Sequence, residues 1–317
     1  MDSPKRSPIS PVIAILFGII AVSTASIFIR FAQKEASSLV IAAWRLTIAS
    51  LILIPVAAST HKRELTSLKR NELLLALLSG VFLALHFATW ITSLQYTTVA
   101  SSVVLVSTVP LWVALLSPVT IEEPIKQAVR IGLVLALLGV VVVGFSDSCT
   151  VNAGRLTCPS LVNFMRGRAF LGDLLAVCGA IAGAAYLLIG RKLRLKMSLI
   201  SYISLVYGMA AIVLIIIMLA AKQQPFGYSP HIYLWLILLA VIPQLIGHST
   251  FNWALGYLSA AFVSITLLGE PIGSTILAYF ILHEKPSLIK LIGGGLILVG
   301  IYIASRSEAE ITSELPD

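Results

Sequence analysis

Residues 93–116 read SLQYTTVASSVVLVSTVPLWVALL, and residues 254–277 read ALGYLSAAFVSITLLGEPIGSTIL. A shift of 161 positions, from 96 to 257, lays Tyr96 on Tyr257 and Pro110 on Pro271. Without a gap, it also lays Gly18 on Gly179, Arg30 on Arg191, Glu123 on Glu284, Gly132 on Gly293 and Gly139 on Gly300. Leu73, Leu75, Leu77 and Leu78 meet leucines. Leucine matches are common in an apolar chain. Gly, Pro, Glu and Arg matches at one constant offset are not, so the chain contains two copies of one unit.

Of 317 residues, 58% are hydrophobic and 11% charged. A soluble domain carries about 25% charged residues. The apolar runs are about 20 residues long, enough to cross a bilayer as helix. Ten spans are expected, near 11–30, 39–58, 72–94, 99–119, 127–146, 170–190, 199–220, 232–254, 259–282 and 287–305. The fold class is an all-α membrane protein. Residues 11–146 and 170–305 form five-helix repeats, with 147–169 as an external linker. Five is odd, so the second copy enters the membrane inverted, as in many secondary transporters.

The net charge of +8 reports membrane orientation rather than nucleic acid. Of 22 Lys and Arg residues, 13 fall in segments on the N-terminal side, 8 on the other, and Arg45 lies within a span. That bias puts both termini in the cytoplasm, and the plasma membrane is the expected location. The first apolar run is too long for a cleaved signal and has a counterpart in the second copy.

Taken with WRLTIAS (44–50) and the run from Tyr257 to Ala304, these stretches resemble the drug/metabolite transporter superfamily, in its EamA branch of ten-helix transporters. The resemblance implies a central cavity lined mainly by the first, third, fourth, sixth, eighth and ninth helices. It implies that the fifth and tenth lie at the periphery. The 147–169 link is longer than the family's usual one.

A carboxylate at the bilayer centre is costly and faces the bundle interior. Glu270 sits near the middle of its span, and Pro271 beside it cannot donate to the Leu267 carbonyl, which is expected to be free. Pro110 makes the repeat-related break. Two readings of Glu270 stand: it binds a proton or cationic group, or it is structural, capping a broken helix or pairing with Arg45. Gln244, His248 and Asn252 recur every four residues and share one helical stripe. His86 and Trp90 form a smaller stripe in the third span. Trp112, Tyr186 and Trp253 are candidates to stack on a ligand. Arg45, near the end of its span, either snorkels to the interface or contacts substrate. Ser23 and Ser26 either line the cavity or allow close helix approach. The paired glycines are packing positions, within the chain or against a second copy.

The expected substrate is a small organic metabolite, best an amino acid or amphipathic amine, moved by alternating access, with protons as a candidate coupling ion. The partners are that substrate and the lipid bilayer, with a homodimer as a further candidate and no nucleic acid. Export is the working direction, although no residue encodes it. No cofactor or metal is expected: three cysteines show no Cys-x-x-Cys pair. Cys149 and Cys158 are a candidate disulfide in the external linker. An enzyme is disfavoured because no His-Glu-x-x-His motif appears and the aspartates are read as lying outside the spans. The alternative is a membrane sensor or assembly protein on a transporter fold.

Overall fold

The structure, a computed structural model, describes residues 10–97, 102, 105–148, 150–152, 155–157, 168–282 and 287–313. Seven helical segments among them are long and apolar enough to cross a membrane, and three shorter apolar helices accompany them. Their order matches the ten expected spans. Side chains such as Phe17, Leu51, Leu115, Ile216 and Phe280 are exposed on the outside of the bundle. A contiguous apolar exterior of this kind suits lipid, not water.

The first repeat holds α1 (Pro11–Ser23), α2 (Ala25–Ala32), α3 (Ser38–Thr60), the short α4 (Lys62–Ser67), α5 (Arg70–Ser93), α6 (Val109–Thr120) and α7 (Gln127–Ser148). An antiparallel hairpin follows, β1 (Thr150–Asn152) against β2 (Arg155–Thr157), with Thr150 opposite Thr157. This hairpin in the linker is the exception to the all-α expectation. Cys149 and Cys158 lie outside the described residues. The second repeat holds α8 (Arg168–Arg194), α9 (Leu199–Ala220) and α10 (Pro230–Leu239), which continues through a π-helical turn (Ala240–His248) into α11 (Ser249–Ala254). It ends with α12 (Ala260–Thr266), α13 (Gly269–Leu282) and α14 (Leu288–Ser313).

Packing between the repeats obeys an inverted two-fold. A Cβ on Gly132 would lie 2.5 Å from the Gly300 carbonyl oxygen, and one on Gly139 would lie 2.5 Å from that of Gly293. The shift exchanges these two contacts. As the number rises along α7 it falls along α14, so the helices run antiparallel. The glycines therefore join the fifth and tenth spans within one chain. Lipid tails are as apolar as leucine, so close backbone approach must supply the attraction. The same symmetry governs the centre. Gly179 packs on Thr89 and Trp90, and Gly18 packs on Thr250 and Phe251.

Three carboxylates tie loops to helix starts, where backbone N–H groups lack partners. Glu64 accepts from Ser198 N–H at 2.6 Å and from the Ser198 and Ser201 hydroxyls, at the head of α9. Glu35 accepts from Ser229 N–H at 2.9 Å, at the head of α10. Glu123 accepts from Ala260 N–H at 3.2 Å, at the head of α12, and pairs with Arg191 at 2.5 Å.

Candidate functional site

Helix breaks surround the centre. The first span bends at Thr24, where the Ser23 and Thr24 hydroxyls donate to the Ile19 and Ala21 carbonyls, each at 2.7 Å. Such back-bonding competes with the helix ladder and bends it. The ninth span breaks between Thr266 and Gly269. There the Leu267 carbonyl is not free as expected: it accepts from Glu270 N–H at 2.9 Å. The chain tightens into a three-residue turn before Pro271. The two breaks meet. Ser23 donates to the Glu270 carbonyl at 3.3 Å, and Ser274 donates to the Ser23 carbonyl at 3.1 Å. A Cβ on Gly273 would strike Ser23, so Ser23 serves close approach. The eighth span absorbs Pro243 by its π turn, a feature frequent at functional sites.

Arg45 is the largest correction. It does not snorkel: it is 0% exposed. Its Nε donates to Gln244 Oε1 at 2.8 Å, and its guanidinium lies 4.3 Å from the centre of the Phe87 ring. Its two terminal nitrogens, Nη1 and Nη2, are buried and have no hydrogen-bond partner among the described residues. The same holds for Gln244 Nε2 and Trp90 Nε1. The Glu270 side chain is half-buried and makes no hydrogen bond or ion-pair contact among the described residues. Arg45 and Glu270 form no ion pair with each other within 4.0 Å.

The stripe on the eighth span faces inward. Gln244 and Asn252 are fully buried, and His248 is half-buried against the Phe87 ring at 5.3 Å. Asn252 Nδ2 donates to the Tyr186 hydroxyl at 2.5 Å, to the Tyr207 hydroxyl at 3.2 Å and to the His248 carbonyl at 2.9 Å. Tyr186 is therefore held by its hydroxyl in a polar network. His86 stacks on Trp90 at 5.9 Å, and its Nδ1 bonds with the Gly179 carbonyl at 2.8 Å. Trp112 is half-buried on α6, donating to Thr108 Oγ1 at 3.2 Å. Pro110 sits in the first turn of that helix. Trp253 packs on Tyr257 instead, with ring centres 4.9 Å apart.

Sequence reading missed Tyr207, Phe87 and the Arg45–Gln244 pair. Tyr207 had a signal, a hydroxyl in the middle of a buried span. Phe87 had none. Asp173 also differs from expectation. It lies in the first turns of α8, buried, and accepts from Thr97 Oγ1 at 2.8 Å. The site has no two-fold symmetry of its own. Arg45, Gln244, Asn252 and Glu270 correspond by the shift to Val206, Leu83, Ile91 and Val109. An apolar groove of about 390 Å³ between α13 and α14, lined by Pro271, Tyr279 and Gly295 among others, shares no residue with this cluster.

A family model, the EamA-like transporter family, matches residues 9–145 and again 170–306. The chain belongs to the EamA-like transporter family. An Archaeoglobus fulgidus protein described as an uncharacterized transporter is 26% identical over 287 residues, covering 89% of this chain and 92% of its own. The Bacillus subtilis uncharacterized transporter YyaM is 20% identical over 266 residues, covering 83% of each chain. One solved crystal structure shares the fold, with a TM-score of 0.74 at 16% identity over 96% of this chain and 100% of its own. This EamA-like protein is thus a multi-pass membrane transporter by family, and not an enzyme.

Proposed function

We propose that this EamA-like protein is a secondary transporter for a small organic metabolite, an amino acid or amphipathic amine, carried by alternating access around a midplane site. The observation that carries this reading is an inward-facing cluster of buried and half-buried polar groups at the bent helices, built from both repeats: Arg45, His86 and Trp90 from the first, Gln244, His248 and Glu270 from the second. Lipid-facing positions have no use for such groups. Inverted halves exchange conformations, so a site between them opens first to one side and then to the other. The rocking units are 11–146 and 170–305, with 147–169 between them. Glu270 is the group that takes a cationic moiety or a proton. The protein lies in the plasma membrane with both termini cytoplasmic and exports its substrate.

The test is flux of radiolabelled amino acids and amines in proteoliposomes, with and without a pH gradient. Saturable counterflow is expected for one chemical class. Ligand-dependent stabilisation with no flux of any ligand would reject transport.

A further inference from the structure

We propose that Arg45 is the receptor for a carboxylate on the substrate, and so selects amino acids over simple amines. This rests on the transporter reading above and deepens it. Its warrant is a donor count at a buried charge. A guanidinium has five N–H donors in a fixed planar fork. Among the described residues only Nε is engaged, by Gln244 Oε1 at 2.8 Å. The fork formed by Nη1 and Nη2 is buried and has no hydrogen-bond partner among the described residues. Unmet donors on a buried charge are expensive, so they persist only where some state supplies acceptors.

The acceptor chemistry follows from the fork. Two parallel N–H groups match the two oxygens of a carboxylate. Phosphate would suit the fork too, but the cluster holds one Arg beside the carboxylate of Glu270, which repels a multiply charged anion. The Phe87 face under the guanidinium braces its plane, 4.3 Å away. The Glu270 carboxylate, with no hydrogen-bond or ion-pair partner among the described residues, offers the complementary charge for an ammonium. A cation receptor and an anion receptor that do not touch each other suit a zwitterion. The residues equivalent to Arg45 and Glu270 by the repeat, Val206 and Val109, are apolar, so the scaffold does not require these charges.

The experiment uses the full-length protein in detergent. Its melting temperature is read against the twenty L-amino acids and their C-terminal amides, which keep the ammonium and side chain but lose the carboxylate charge. At least one acid should raise the melting temperature, and its amide should bind about tenfold more weakly or worse. Arg45→Gln should abolish this preference. Gln244→Glu should abolish it too, by placing a carboxylate of the chain's own beside the guanidinium. It decides the matter if Arg45→Gln yields no monodisperse protein. The proposal is overturned if amides bind as well as acids, if no acid binds, or if the preference survives the substitution. Counterflow separates the two levels. Flux of amides or amines but not acids would keep the transporter reading and reject Arg45. Acid binding lost in both variants, with no flux, would keep Arg45 and reject transport.

Discussion

At Glu270 the two readings of its role make opposite forecasts. Losing one member of a buried ion pair costs about 3–5 kcal/mol. Glu270 makes no such contact with Arg45. Glu270→Gln should therefore stay folded, with a melting temperature close to wild type, yet lose most flux of a cationic or zwitterionic solute. A large drop in melting temperature, repaired by Arg45→Gln, would restore the ion pair. Asn252 is different in kind. In a fully buried setting its Nδ2, with two N–H donors, lies within hydrogen-bond distance of two tyrosine hydroxyls and the His248 carbonyl. Asn252→Ala should cost about 1–3 kcal/mol by stranding those partners, whatever its effect on binding. The comparison to make is its melting temperature against that of His248→Ala. The half-buried His248 side chain packs on the Phe87 ring, and its removal should be milder.

At the scale of elements, the glycines and the carboxylate caps carry separable tests. Gly139→Ala should destabilise, by about 1–3 kcal/mol, because its methyl would meet the Gly293 carbonyl and Ile297. Gly295 on the same partner helix has nothing within 4 Å, so Gly295→Ala should be neutral or stabilising. Equal effects in the two variants would mean that α7 and α14 do not pack as described. Glu64 offers a pH test outside the spans. Burial pushes its pKa up, but hydrogen bonds from Ser198 and Ser201 outweigh this and hold it below the ordinary 4.5. A lowered folded value means stabilisation that is complete above about 4.5 and vanishes as the pH falls through the folded value. The melting-temperature gap between wild type and Glu64→Gln should therefore be constant near neutrality and close under acid conditions. A gap that widens on acidification has the wrong sign.

The whole molecule is an inverted pair whose orientation can be measured. Gln224 lies exposed between α9 and α10, on the side assigned to the exterior. In a cysteine-free background, Gln224→Cys should react with an impermeant maleimide in intact cells, and Ser67→Cys only after permeabilisation. The reverse pattern would invert the topology. The repeat was legible because backbone packing demands the same small or kinking residue at matched positions in both copies. Gly132, Gly139, Gly293 and Gly300 recur for that reason, and so do Pro110 and Pro271. The candidate site was legible only in part. Gln244, His248 and Glu270 stand out as polar groups where lipid forbids them. Arg45 looked like an interfacial residue because distance from a helix end is all that sequence provides.

The sequence by itself determined that this chain spans a bilayer repeatedly, that it is a duplicated and inverted unit, and which polar side chains must turn inward. Those properties follow from length, hydropathy and the cost of charge in hydrocarbon, each of which acts locally along the chain. Only the tertiary structure decided that Arg45 reaches Gln244, 199 positions away, and that its Nη1 and Nη2 remain unpartnered. It also decided that the glycines meet within one chain, and that the bend at Ser23 docks on the break at Glu270. These are contacts between distant segments. Their partners are chosen by shape and donor geometry, which no local pattern of residues records.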